Sequence, residues 1–262
     1  MAIRRVSSTA VRVFPSTTSA RSSDDGASVL TLLALDTAQG ALSVAILDGP
    51  RVLAHRVEAR TRGHAEALMP VLEAAMAEAG LGFGDLLALA VTVGPGTFTG
   101  LRVGLAAARG LALARRLPLV GVTTLEAVAE PVTAEADEAI AAAFDAKRGE
   151  IYLEAFDAKH ASLSEPMIVA IEEAPARISG DAVVCVGTGA ALLASALTAR
   201  GVKARLSLAP AQPDALSVAR IAAARLATFG PDRFRVAPAP LYLRAPDAKL
   251  PGGLDPILPG AA

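Results

Sequence analysis

Asp36 and Thr37 close the apolar run Leu33-Ala34-Leu35. A carboxylate and a hydroxyl at a strand end can hold a metal–phosphate group, helped by the N–H groups of the turn. The same Asp can instead close its own turn through the backbone. A second candidate is Gly94-Pro95-Gly96-Thr97-Phe98-Thr99-Gly100, placed between a strand-like and a helix-like run. Free N–H groups at a helix start attract anions, whereas a tight turn with a Thr cap would need the same residues. The stretch lacks the GxxxxGK[ST] of a P-loop, and its third Gly falls one position late for GxGxxG. A third is Cys185-Val186-Gly187-Thr188-Gly189-Ala190, where glycine admits either a nucleotide or a neighbouring backbone. The nucleotide-binding candidates are thus Asp36, Thr37, Gly94, Gly96, Thr97, Gly187 and Gly189.

The helix expected from Thr99 to Arg116 carries a different signal. Gly100, Gly104, Ala108 and Ala112 recur every fourth residue and form a ridge of minimal side chains. Interior glycine costs a helix about 0.5–1 kcal/mol relative to Ala, so the ridge should allow a close approach. The approaching surface is either a partner or another part of this chain. Arg102, Arg109 and Arg116 recur every seventh residue on a neighbouring face and could reach acids on a partner. The expected partner-binding set is Gly100, Leu101, Arg102, Gly104, Leu105, Ala108 and Ala112. On that reading, a bulky residue at Gly104 abolishes pairing and spares the fold.

Groups for catalysis are sparse. The three His (His55, His64, His160) form no HExxH and no other helical pair, so a helix-borne metal site is not expected. His64-Ala65-Glu66 is a candidate acid/base pair, but an acid in a first helical turn also serves the helix dipole. Asp145, Lys147, Arg148 and Glu150 cluster at a hairpin and read as a solvated turn. Cys185, the one cysteine, excludes a disulfide framework and reads as an inert buried thiol. No catalytic residue and no metal ligand is assigned.

The elements that must position these groups follow from pattern. The 262 residues carry a net charge of −1, which gives no global field for nucleic acid. The 53% hydrophobic fraction rests on small side chains, with 59 Ala and nine aromatics, so close packing of helices is expected. Residues 182–199 form an uncharged run of 18; it reads as strand, Gly turn and helix rather than a membrane span. Residues 1–28 hold ten Ser/Thr and four Arg without an apolar face. They read as a disordered leader, a transit-like segment or a misassigned start. Thr31–Asp36, Ala41–Leu47 and Val52–Glu58 read as a three-stranded meander. Ala65–Ala79 follows as a helix, and Leu86–Val93 and Leu119–Val122 as strands flanking the glycine-ridge helix. The second half repeats this order: strands at Ala139–Asp145, Glu150–Asp157, Met167–Ile171 and Ala182–Val186, then helices at Gly189–Ala199 and Asp214–Phe229. Two related α/β subdomains, 29–130 and 131–245, and a loose tail, 246–262, are expected.

Several of these stretches, in this order, resemble the TsaB family. They are the Leu35-Asp36-Thr37 meander, His64-Ala65-Glu66 with Leu68 and Pro70, and the stretch from Val93 to Gly104. Asp145-Ala146-Lys147-Arg148-Gly149-Glu150-Ile151-Tyr152 and Pro240-Leu241-Tyr242-Leu243-Arg244 complete the set. The resemblance spans about residues 29–245. It implies an actin-like ATPase fold (the ASKHA class) and a non-catalytic, cytoplasmic dimerisation subunit of the bacterial tRNA threonylcarbamoyladenosine machinery. It also implies pairing with TsaD, which transfers the threonylcarbamoyl group, within a complex that includes TsaE and reaches tRNA indirectly. Alone, the chain would form a homodimer. No cofactor of its own is implied, ATP and metal belonging to partner subunits. TsaD binds metal through two His on one helix, and here position 68 is Leu. Thr188 stands where relatives often carry an acid, and a second phosphate loop is missing. The alternatives are an active small actin-like kinase, with Asp36 or Asp145 near the transferred phosphoryl group, and a metal-dependent glycoprotease, against which the missing His pair speaks.

Overall fold

The computed structural model describes residues 30–244, so the expected leader (1–28) and tail (246–262) lie outside the described residues. β1 (Thr31–Asp36), β2 (Ala41–Asp48) and β3 (Arg51–Ala59) form the expected antiparallel meander, because their connections are too short for anything but hairpins. α1 (His64–Ala79) carries the chain back to β4 (Ala88–Gly94), which pairs parallel with β1. α2 (Phe98–Arg115) then leads to β5 (Leu119–Thr123), parallel to β4. The sheet order is β3-β2-β1-β4-β5.

The second sheet repeats it. β6 (Glu138–Lys147), β7 (Glu150–Phe156) and β8 (Met167–Ala170) are an antiparallel meander. β9 (Ala182–Val186) and β10 (Lys203–Leu206) add to β6 in parallel, joined by a helix at Ala190–Ala199. The order β8-β7-β6-β9-β10 matches the first sheet strand for strand and direction for direction. This duplication is the architecture of the actin-like ATPase fold. A 3-10 turn at Ala174–Arg177 stands where the first lobe has α1.

Sequence pattern did not resolve β10 or the short helix α3 (Thr124–Ala129). Thr123-Thr124-Leu125-Glu126 is a capping box: Thr123 accepts from the Glu126 N–H, and the Glu126 carboxylate accepts from the Thr123 N–H. Numbering the Ala190–Ala199 helix α4, the last helix is α5 (Ala215–Phe229). It follows the second sheet in sequence but packs on the first, with Ala215, Val218, Ala219 and Ala222 against Leu32, Ala34 and Val120. α3 does the converse, burying Leu125 and Val128 against Ile140, Phe144 and Val184 of the second sheet. The split expected at 130/131 therefore separates the sheets, while each lobe's closing helix crosses over.

The first sheet is covered on both faces, which is why β1, β2 and β4 are buried along almost their whole length. Leu33, Leu35, Val44 and Val91 meet α1 and α2 on the face opposite α5. No helix among the described residues is long and apolar enough to cross a membrane.

Candidate functional site

The end of β1 fixes the first candidate. Asp36 is fully buried; one carboxylate oxygen accepts from the Thr92 hydroxyl (2.7 Å) and the Ala38 N–H (3.2 Å), and Oδ2 has no partner. Burial, with a smaller contribution from Asp214, pushes its carboxyl up to about 7. Both readings of Asp36 thus have a footing: it closes its own turn, and it leaves one oxygen unengaged.

Around it, four turn donors are committed within the chain. The Thr97 N–H donates to the Ala38 carbonyl (2.8 Å), and the Gln39 amide donates to the Pro95 carbonyl (3.3 Å). The Gly40 N–H donates to Gln212 (3.0 Å) and the Gly100 N–H to the Thr97 hydroxyl (3.2 Å). A Cβ on Gly96 would lie 2.4 Å from the Ala38 carbonyl oxygen. The second glycine turn packs the same way. The Gly189 N–H donates to the Ala143 carbonyl (2.9 Å), and a Cβ on Gly187 would lie 2.3 Å from that oxygen. The Asp145 N–H donates to the Thr188 hydroxyl (3.2 Å). The actin-like fold implies a nucleotide between such turns. Here the glycines Gly96 and Gly187 are pressed against this chain's own backbone.

The ridge on α2 is turned inward. Gly100, Leu101, Gly104, Leu105, Ala108 and Ala112 are all buried within the chain, and of the expected partner-binding set only Arg102 is exposed. The close approach that the ridge permits is to the end of β1. A Cβ on Gly100 would fall 2.1 Å from the Thr37 carbonyl oxygen, and one on Gly104 would fall 2.5 Å from the Thr37 hydroxyl. That hydroxyl donates to the Gly100 carbonyl (2.7 Å). The surface these helices offer outward is a different one. It comprises Met69 and Pro70 on α1, and Arg102, Ala106, Arg109, Gly110 and Leu113 on α2.

A strap finishes that surface. After α5, the Leu241 N–H donates to the Val93 carbonyl (2.7 Å) and Arg109 donates to the Pro238 carbonyl. Tyr242 lies 5.5 Å from Phe98, Arg102 stacks on the Phe98 ring at 3.6 Å, and its Nε donates to the Tyr242 hydroxyl (3.3 Å). Arg244 reaches the other lobe, donating to the Ala146 carbonyl (2.7 Å) and pairing with Glu150. Pro240–Arg244 is therefore a link between lobes.

The acid/base candidates do not assemble. His64 is buried on the sheet side of α1 with Nε2 unpartnered, whereas Glu66 faces solvent. Asp145 accepts from the Lys147 N–H (2.8 Å) and ammonium (2.6 Å), which holds its carboxyl below the ordinary range. Among the described residues, no group of three His, Cys, Asp or Glu side chains is placed to hold a metal. Burial pushes the Cys185 thiol up to about 12.

Glu154 was not singled out from sequence. It is buried on β7, accepting from Thr123 (3.4 Å) and Ser162 (3.1 Å), and burial with Glu126 nearby pushes its carboxyl up to about 7. Its signal was strand alternation, since Tyr152, Glu154 and Phe156 share the face that α3 covers.

The family model for TsaD, tRNA N6-adenosine threonylcarbamoyltransferase, matches residues 51–182. The tRNA threonylcarbamoyladenosine biosynthesis protein TsaB of Escherichia coli K12 is 41% identical over 101 residues, 38% of this chain and 43% of that one. Its namesake in Haemophilus influenzae is 43% identical over 102 residues, 38% and 42% of the two chains. The matched part thus spans less than half the length of these curated relatives. A Pseudomonas aeruginosa protein described as similar to peptidase YEAZ superposes with a TM-score of 0.67 at 32% identity. That match covers 82% of this chain and all of the other.

Proposed function

The chain belongs to the TsaB branch of the tRNA N6-adenosine threonylcarbamoyltransferase family, and from that premise we propose that it is a non-catalytic scaffold which pairs with TsaD. In this reading it supports threonylcarbamoylation of the tRNA adenosine beside the anticodon, in a complex that includes TsaE, and it touches tRNA only through that complex. The observation that carries the non-catalytic part is the commitment of the turn donors: Thr97, Gly189 and Gly40 N–H groups are spent on this chain's own carbonyl and amide oxygens. The chain accordingly has no nucleotide or metal of its own, and Asp36 is a structural acid.

Pairing uses the outer face of α1 and α2 rather than the glycine ridge. Leu113 is 82% exposed there, and Met69 and Phe98 are 42% and 45% exposed. Interfaces place such apolar and aromatic side chains, with Arg beside them, at their centre. In the absence of TsaD, the same face pairs two copies of this chain.

Light scattering on a sizing column tests this, with the chain alone and mixed with TsaD from the same source. A one-to-one complex is the expected result. No association, together with ATP turnover by the isolated chain, would replace the scaffold by a small actin-like kinase.

A further inference from the structure

We propose that the rim of the first lobe formed by Arg115, Arg116, Arg233 and Arg235 lies against the phosphate backbone of RNA. The proposal rests on the reading above that the chain works in a complex acting on tRNA. It adds which of this chain's own residues the RNA meets there.

β1, β4 and β5 run parallel, so one edge of the first sheet collects their ends, with Asp36 and Gly94, and the opposite edge collects their starts. α2 finishes at that opposite edge, just before β5 begins, and leaves Arg115 and Arg116 exposed. The 3-10 turn Pro231–Phe234, which follows α5, is brought to the same place. Arg235 donates to the Arg116 carbonyl across 2.7 Å, joining residues 119 positions apart. Arg233 and Arg235 are exposed beside it.

The charge of this rim is poorly balanced. α2 contains no acid. The acids nearby are Asp232, 92% exposed and 3.3 Å from Arg235, and Asp85, whose carboxylate accepts from the Gly82 N–H of its own turn. Arg115 donates to the Gly84 carbonyl (3.2 Å), whereas Arg116 and Arg233 have no partner among the described residues. Elsewhere Arg56, Arg60, Arg205, Arg225 and Arg244 each have an acid. Basic residues at a helix end also serve the helix dipole. That role accounts for Arg115 and Arg116, but not for Arg233 and Arg235, which another segment brings to them. The net charge of −1 is an average over the chain and hides this local field.

A guanidinium presents a planar fork that grips phosphate oxygens in pairs and gives up water readily. The four forks come at uneven intervals, adjacent on α2 and two residues apart at the turn. A protein partner would need an acid placed opposite each one. A nucleic acid carries a charge at every residue and meets them at whatever spacing they have. Such contacts hold an RNA in position without reading its sequence, which suits a subunit that supports chemistry carried out by its partner.

The test is tRNA binding by fluorescence anisotropy, across a salt series, to the full chain saturated with TsaD from the same source. Arg116→Glu/Arg233→Glu should weaken binding about ten-fold or more at low salt, as two phosphate contacts are replaced by repulsion. Arg116→Ala/Arg233→Ala should weaken it about three-fold and lower the salt slope by about 1–2, and serves if the reversed form melts early. Lys159→Glu/Arg177→Glu makes the same change of net charge on exposed residues of the second lobe. It should stay within about two-fold of wild type, because distant charges are screened. Reversed and wild-type complexes that bind tRNA alike, or a second-lobe control that loses as much, would overturn the proposal and leave the scaffold reading standing. A reversed chain that pairs poorly with TsaD, while each complex formed keeps its tRNA affinity, would overturn it in favour of an acidic protein segment. If the chain does not pair with TsaD, the scaffold reading fails and the rim is judged on the chain alone. Salt-sensitive tRNA binding that the reversed form loses would then support the rim, and its absence would overturn it.

Discussion

The Thr37 hydroxyl donates to the Gly100 carbonyl across 2.7 Å, joining residues 63 positions apart. The contact requires α2 to lie almost on the end of β1, and Gly100 and Gly104 leave the room for it. Gly104→Leu should therefore destabilise the fold itself by about 1–3 kcal/mol through overpacking, since its Cβ alone would fall on the buried Thr37 hydroxyl. Gly110→Ala, with open space around it, should stabilise by about 0.5–1 kcal/mol. Urea denaturation of both variants checks this; a Gly104→Leu protein as stable as its parent would return the ridge to the surface.

Stability should fall as pH rises through neutrality. Burial holds the carboxyls of Asp36 and Glu154 at about 7, above their ordinary 3.8 and 4.5. Between those values the native protein binds more protons than the unfolded chain, so the stabilisation is complete below about pH 4 and lost as pH passes about 7. Glu138, held at about 2 by Arg205, acts in the opposite sense, but only below the ordinary Glu range. Glu154→Gln should be more stable than its parent at about pH 8 and vary less from about pH 5 to 8. Denaturation midpoints across that range decide it, and an unchanged slope would mean Glu154 is not the group responsible.

The strap should be severable. Arg244 binds Ala146 and Glu150 from partly exposed positions, so its charge-assisted contacts are discounted for solvent, and Arg244→Ala should cost about 1 kcal/mol. Faster proteolysis within residues 235–243 should accompany the loss. Unchanged cleavage would show that Leu241 and Tyr242 hold the strap without it.

ATP with magnesium should leave the melting temperature of the isolated chain unchanged, because a ligand that binds only the native state must raise it. A shift that disappears in Asp36→Asn would show that the unpartnered Asp36 oxygen takes part in a nucleotide site.

Local pattern alone determined the meanders, the crossover helices and the duplication. Apolar runs such as Leu32–Leu35 and Val183–Val186 leave a strand only one way to be buried, and two- to four-residue connections fix hairpin partners. It also determined that residues 100, 104, 108 and 112 permit a close approach, since the absence of side-chain bulk is written in the residue types. Only the tertiary structure decided what makes the approach. Thr37 is 63 residues from Gly100, and nothing in either segment's periodicity names the other. The crossing of α3 and α5 to opposite sheets, and the burial of Glu154 beneath α3, belong to the same class. Periodicity reports that a face is covered, while the identity of the cover depends on contacts between segments far apart in sequence.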